Sequence, residues 1–169
     1  MSSDGKYVAL SDRHDQHNVY LFDIMSGKTT NQPGGTNKIF DICFSAKHGD
    51  YTFATVGSKH IKFWDNTLNG HNGIFGKAGE MTSFACVAFD DNGTCYSGGS
   101  NAQIYVWQGK NLNRTIKAHK GGFVGAIRWV GGKLYSGGKD GVLNVINTSN
   151  DQVEKSIDFG GVLLRAIDV

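Results

Sequence analysis

Proline is almost missing from this sequence, with one, Pro33, in 169 residues. No apolar run approaches the roughly 18 residues needed to span a bilayer as a helix. Met1 to Leu10 is polar and turn-like, so no secretory leader is expected and no membrane partner is implied. Cysteine is scarce and odd in number: Cys43, Cys86 and Cys95 have no paired spacing. They read as reduced thiols of a cytoplasmic protein, Cys43 and Cys86 acting as small hydrophobes inside apolar runs. Charge of one sign is also lacking. A formal net charge of +2 is too mild to imply nucleic acid, which needs a clustered basic stripe. No stretch shows a sustained helical period. With 39% hydrophobic residues the chain nonetheless has material for a core, which excludes wholesale disorder.

Glycine is abundant, with 24 residues. Without a collagen period this points to many tight turns between short strands. The turns recur. Phe53–Asp65 (FATVGSKHIKFWD), Cys95–Gln108 (CYSGGSNAQIYVWQ) and Leu134–Asn147 (LYSGGKDGVLNVIN) each hold a strand, a turn and a second strand ending in a large apolar residue. A fourth copy lies at Tyr7–Asp23 with a longer turn. The closing residues Phe22, Trp64, Trp107 and Ile146 lie roughly 40 residues apart, the period of a propeller blade. A strand precedes each of the last three pairs (Ile39–Phe44, Phe84–Phe89, Val124–Val130). Another follows (Lys28–Gln32, somewhere in Leu68–Gly76, Leu112–Lys117, Gln152–Asp158).

Four-stranded units of this kind bury both faces only by stacking radially. The expected fold is therefore all-β: an arc of about four β-propeller blades, each with strands a to d from the inside outward, as part of a larger, tandem propeller. The blades fall at about 1–33 (lacking strand a), 34–77, 78–118 and 119–160, with 161–169 starting a next one. Alternation along strand c turns Ile61, Phe63, Ile104 and Val106 inward and Lys62 and Tyr105 outward.

In WD-type blades a His before strand a, a Ser or Thr on strand b, an Asp in the b–c turn and a Trp on strand c form a buried polar network. The fourth unit has His119, Ser136 and Asp140, with Ile146 for Trp. The third has Ser97 and Trp107, with Asn101 for Asp; the second has Trp64 and Asp65, with Ser58 at the turn. His119, Ser136 and Asp140 also have the residue types of a hydrolase triad, but a triad needs its nucleophile on an exposed, strained turn. No catalytic residue is assigned. Asp12, His14, Asp15 and His17 occupy one extended turn rather than a closed four-ligand set, so no metal site is expected. Gly137–Gly141 lacks the spacing of a phosphate loop, and no cofactor is expected.

From Lys38 onward the order of motifs becomes distinctive: KIFDI at Lys38–Ile42, KHIKFW at Lys59–Trp64, GIFGK at Gly73–Lys77, IYVW at Ile104–Trp107, NLNRTIKAH at Asn111–His119 and SGGKDG at Ser136–Gly141. This series resembles the echinoderm microtubule-associated protein-like family. The resemblance implies two joined propellers, no enzymatic activity, association with tubulin or microtubules, and a cytoskeletal location that extends to spindles and cilia. The alternative is a WD-repeat adaptor that joins other proteins and ignores tubulin. Lys59, His60, Lys62, Lys77, Lys117, Lys120 and Lys139, with Lys133, are the residues expected to meet an acidic partner. Phe75 and Phe123 are aromatic residues at turns. An open arc also carries unpaired edges that invite self-association.

Overall fold

The computed structural model describes residues 1–168. Fifteen strands form four antiparallel sheets, each a meander in which consecutive strands pair. The first has three strands, β1 (Tyr7–Ser11), β2 (Val19–Asp23) and β3 (Thr29–Gln32). The second has β4 (Ile39–Phe44), β5 (Phe53–Gly57), β6 (His60–Trp64) and β7 (Gly70–Asn72). The third has β8 (Phe84–Phe89), β9 (Cys95–Gly99), β10 (Gln103–Gln108) and β11 (Asn111–Lys117). The fourth has β12 (Val124–Val130), β13 (Lys133–Gly138), β14 (Val142–Asn147) and β15 (Gln152–Asp158). The described residues contain no helix, so none is available to cross a membrane. This is an open arc of WD-repeat propeller blades.

The core lies between blades rather than within them. Ala9, Val19 and Leu21 of the first blade meet Phe44, Phe53 and Trp64 of the second. Ala54, Val56, Ile61 and Phe63 on the other face of the second blade meet Phe84, Val87, Tyr105 and Trp107 of the third. The opposite face of the third offers Cys86, Tyr96, Ile104 and Val106 to Val124, Ile127, Leu134 and Ile146 of the fourth. Successive residues of a strand thus serve two interfaces, the period-two rule applied to a sheet buried on both sides.

Double-sided burial corrects the expectation for Tyr105. It does not point outward but is 1% exposed, packed edge-on to Phe84 and Phe75. Its hydroxyl donates to the Glu80 carbonyl at 3.0 Å and accepts from Asn101 Nδ2 at 3.0 Å. Phe75 is half-buried among the same rings.

Local turn chemistry fixes the blade geometry. A side chain at the end of strand c caps the c–d turn in three blades: Asp23, the last residue of β2, accepts from the Met25 and Ser26 N–H groups, Asp65, just after β6, from Thr67 and Asn69, and Asn147, the last residue of β14, from Ser149. Asp65 is therefore a turn cap and stands outside the polar network around Trp64. The b–c turns are anchored to the preceding d–a loops by Ser58 N to Lys38 O, Ser100 N to Ser83 O and Lys139 N to Phe123 O. Beyond β15, residues 159–168 form no strand; Leu164 N donates to Gly138 O at 3.2 Å. The strand expected over Leu163–Val169 is thus unpaired as far as Asp168, and Val169 lies outside the described residues.

Candidate protein-binding face

The polar network differs from blade to blade. In the fourth, the His119 ring lies 3.0 Å from Asp140 Oδ1 through Nδ1 and 3.0 Å from Ser136 Oγ through Nε2. Burial opposes ionisation of Asp140. The Lys120 and Val142 N–H groups and the His119 ring outweigh it and hold the carboxyl below the usual range. The bond order Asp–His–Ser matches that of a hydrolase triad, yet Ser136 is 0% exposed at the interface with the third blade, where no acyl substrate reaches Oγ. Ile146 takes the Trp position and packs in the same core.

The third blade keeps one bond of the set, Trp107 Nε1 donating to Ser97 Oγ at 2.9 Å. Asn101 turns away to the Tyr105 hydroxyl. In the second blade Trp64 Nε1 donates to Thr55 Oγ1 at 3.0 Å, and Thr55 Oγ1 lies 2.8 Å from His60 Nε2. Here the histidine is the first residue of strand c rather than a residue of the loop before strand a. Thr55 and His60 are the members that the residue pattern did not reveal. Their signal was a Thr two residues after Phe53, in the register of Ser97 after Cys95 and Ser136 after Leu134. Burial, followed by the like charge of Lys62, pushes the His60 ring down to about 4. His60 is a structural residue and leaves the set of surface candidates.

Lys62 changes role as well. It is half-buried with Nζ 4.2 Å from the Trp64 ring centre, where burial lowers its pKa and the ring face attracts its charge.

The remaining candidates are exposed: Lys59, Lys77, Lys117, Lys120 and Lys139. In a meander the b–c turns and the d–a loops emerge at the same end of the sheets. Lys59 and Lys139 sit in b–c turns and Lys120 in a d–a loop that Lys117 enters. Arg13 and Lys38 join them by the same topology. Lys77 stands apart on the rim, in the crossing from the second blade to the third, where Ile74 pairs with Asn111. Lys133 lies at the opposite end, paired with Glu154. That opposite end, made of a–b and c–d turns, carries Asp23, Asp50, Asp65, Asp90, Asp91, Asp151 and Glu154, interspersed with Lys6, Lys28, Lys47 and Lys110. Asp12, Asp15 and Asp140 stand among the basic residues of the first end, so the two ends differ in balance: basic residues are in excess at the first and acidic ones at the second.

The basic face also holds a cavity of about 550 Å³ lined by Phe40, Ser83, Phe84, Ser100, Phe123 and Arg165. Phe123 is half-buried there, and Phe40 is 56% exposed.

In the loop of the first blade the Asp12 carboxylate is spent on its own turn, accepting from His14 N, Asn18 N, Asn18 Nδ2 and the Tyr20 hydroxyl. Among the described residues no three His, Cys, Asp or Glu side chains converge as a metal site. The three cysteines are free thiols, and burial pushes Cys43 up to about 11, which makes it a poor nucleophile.

No protein-family model matches the chain. Curated relatives do. It is 44% identical over 168 residues, 97% of its length, to the ciliary WD repeat-containing protein ctxp80 of Euplotoides octocarinatus, covering 23% of that protein. It is 28% identical over 141 residues, 79% of its length, to the 77 kDa echinoderm microtubule-associated protein of Strongylocentrotus purpuratus, covering 20% of it. With echinoderm microtubule-associated protein-like 1 of Mus musculus it shares 37% over 91 residues, half of this chain and 11% of the relative. The chain therefore spans a quarter or less of these relatives. Blade architecture and relatives together make it a WD-repeat β-propeller protein of the echinoderm microtubule-associated protein-like family.

Proposed function

We propose that the chain is a non-enzymatic cytoskeletal scaffold whose basic face engages tubulin or microtubules. The observation that carries this reading is the gathering of Lys59, Lys120, Lys139, Arg13 and Lys38 at one end of the blades, opposite an acidic end. Tubulin is acidic, and such a face steers it with the correct side foremost. The names of the relatives, microtubule-associated and ciliary, support the same direction and a location on microtubules or in a cilium. The test is co-pelleting of the folded chain with polymerised tubulin at low and moderate salt. Saturable, salt-weakened pelleting that Lys59→Glu with Lys139→Glu abolishes, while Lys47→Glu with Lys110→Glu on the acidic end spares, is the expected result. Pelleting indifferent to all four changes refutes the basic-face reading.

The cavity beside Phe40 and Phe123 favours a second reading, an adaptor that receives an apolar peptide with a carboxylate for Arg165. Loss of partner capture in Phe40→Ser with unchanged tubulin pelleting separates it from the first.

A further inference from the structure

Phe40 stands between two hollows of the basic face. It is the bulge residue of β4, and β8 and β12 carry the same one-residue bulge after their first residue, at Ala85 and Gly125. A bulge re-aims the side chain it carries, and Phe40 is left 56% exposed. The three positions hold a large ring, a methyl group and no side chain. The two small residues leave room for the cavity of about 550 Å³ that Phe40, Phe84 and Phe123 line. Its serine hydroxyls are already engaged: Ser83 Oγ accepts from Lys59 N at 3.2 Å, and Ser100 Oγ lies 2.6 Å from Thr82 Oγ1. The hollow is therefore suited to an apolar side chain.

On its other side Phe40 lines a second cavity, of about 440 Å³, with Asp12, Arg13, His17, Lys38 and Ile39. The b–c turn of the first blade builds this hollow. It runs over residues 12–18, against two or three residues in the other blades. The turn is fixed from within. Asp12 holds it through the four donors named above, and the Gly34 and Gly35 N–H groups bond the His17 and Gln16 carbonyls at 3.2 and 2.9 Å. A Cβ at Gly34 would lie 2.2 Å from the His17 carbonyl oxygen, so glycine is required there. A loop held this way needs little further ordering when a ligand binds.

Cations rim both hollows. Lys59 N bonds Ser83, and Lys139 N donates to the Phe123 carbonyl at 2.9 Å, so backbone bonds fix both lysines beside the apolar hollow. Arg13, Lys38, Lys59, Lys139 and Arg165 are exposed and have no ion pair among the described residues. Among the described residues Asp12 is the one carboxylate lining either hollow, and it is spent on its own turn.

We propose that the two hollows are one docking site for an acidic peptide segment carrying a single large apolar side chain. The apolar side chain enters the hollow between Phe40 and Phe123, the segment passes over Phe40, and a neighbouring carboxylate meets Arg13 and Lys38 on the far side. This rests on the cavity reading above, not on tubulin, and adds the chemistry of the partner. Charge selects the segment, and the apolar hollow selects the residue within it. A neutral segment would leave the cations without partners, and a purely acidic one would leave the apolar hollow empty.

The test is fluorescence anisotropy of the 169-residue chain with three short labelled peptides: glutamates around one central phenylalanine, the same with alanine at the centre, and serines around the phenylalanine. The first is expected to bind in a salt-weakened way, and the other two at least about tenfold more weakly. Phe40→Ser is expected to bring the first down to the level of its alanine counterpart. Arg13→Ser with Lys38→Ser is expected to weaken it about tenfold, and Lys47→Ser with Lys110→Ser at the opposite end to leave it unchanged. All five residues are exposed, and a retained far-ultraviolet β signal checks each fold. Equal binding of the serine-flanked peptide overturns the acidic partner and leaves the cavity reading standing. Equal binding of the alanine peptide, or binding indifferent to Phe40→Ser, overturns the two-hollow site and leaves only a charged face. Binding of none of the three overturns the inference together with the cavity reading.

Discussion

His60 makes the stability of the second blade depend on pH in a way that isolates one group. The ring is 7% exposed, 2.8 Å from the Thr55 hydroxyl, with Lys62 as its main charged neighbour. No carboxylate is among the groups that shift it, so nothing offsets the cost of bringing a charged ring into this interface. Its pKa falls from the ordinary 6.5 to about 4 in the folded chain, so the unfolded chain binds the proton first. Stability from the neutral ring is complete above the unfolded value and is lost as pH falls toward the folded one. At 1.36 kcal/mol per tenfold change the loss approaches about 3 kcal/mol in all and about 2 kcal/mol by about pH 5. The assay is urea unfolding of the parent and of His60→Gln at about pH 7 and about pH 5, at matched protein concentration. Carboxylates and His119 are common to both chains and cancel in the difference. The parent should lose about 2 kcal/mol more than the variant. Equal losses would refute the reasoning, because they would mean that the His60 site admits the proton without cost.

Thr55→Val strips the shared hydroxyl from both Trp64 Nε1 and His60 Nε2, and should cost about 2–5 kcal/mol in urea melts, whereas Ser97→Ala, which orphans only Trp107 Nε1, should cost about 1–3 kcal/mol. Gly98→Ala should destabilise by about 1–3 kcal/mol, since a Cβ there lies 2.5 Å from Cys86 Sγ and 2.8 Å from the Val124 carbonyl across the blade interface; an unchanged melting curve would contradict the packing described. Arg114→Ala removes the forked bonds to Asp151 and the bond to the Thr148 carbonyl. The group is partly solvated, so the expected cost is at most about 1 kcal/mol, with salt reducing it further.

Much of the fold was legible because blades repeat. The strands Ile39–Phe44, Phe84–Phe89, Val124–Val130 and Gln152–Asp158 follow from apolar alternation between glycine turns, and the structure has them at those bounds. The short β7 was only bracketed, because Gly70-His71-Asn72 carries no apolar period. Tyr105 departs from its expected outward position because alternation implies one dry and one wet face only for a sheet with a single neighbour, and a blade has neighbours on both sides. His60 is expected at the surface from its place beside Lys59, and the φ of 46° at Lys59 does put that residue in the turn. One residue further on, the chain is already in the strand and the ring points inward. Lys62 shows the same limit: the sequence places a lysine mid-strand, and only the packing shows that its charge rests on Trp64. The basic face could not be seen along the chain at all, since its members are scattered through Arg13, Lys38, Lys59, Lys120 and Lys139 and meet only through the meander.

Because each apolar cluster belongs to a pair of neighbouring blades, no blade holds a core of its own. Melting of such an array is a sum of neighbour couplings rather than one indivisible event. The two terminal sheets each have one coupled face and the middle two have both. Backbone amide exchange should therefore form a gradient, slowest in β8, β9 and β10 and fastest in β3 and β15, whose residues are all exposed. A partner or a second copy that covers an outer face would slow exchange two blades away from where it touches, and the arc would report its own occupancy through its most interior strands.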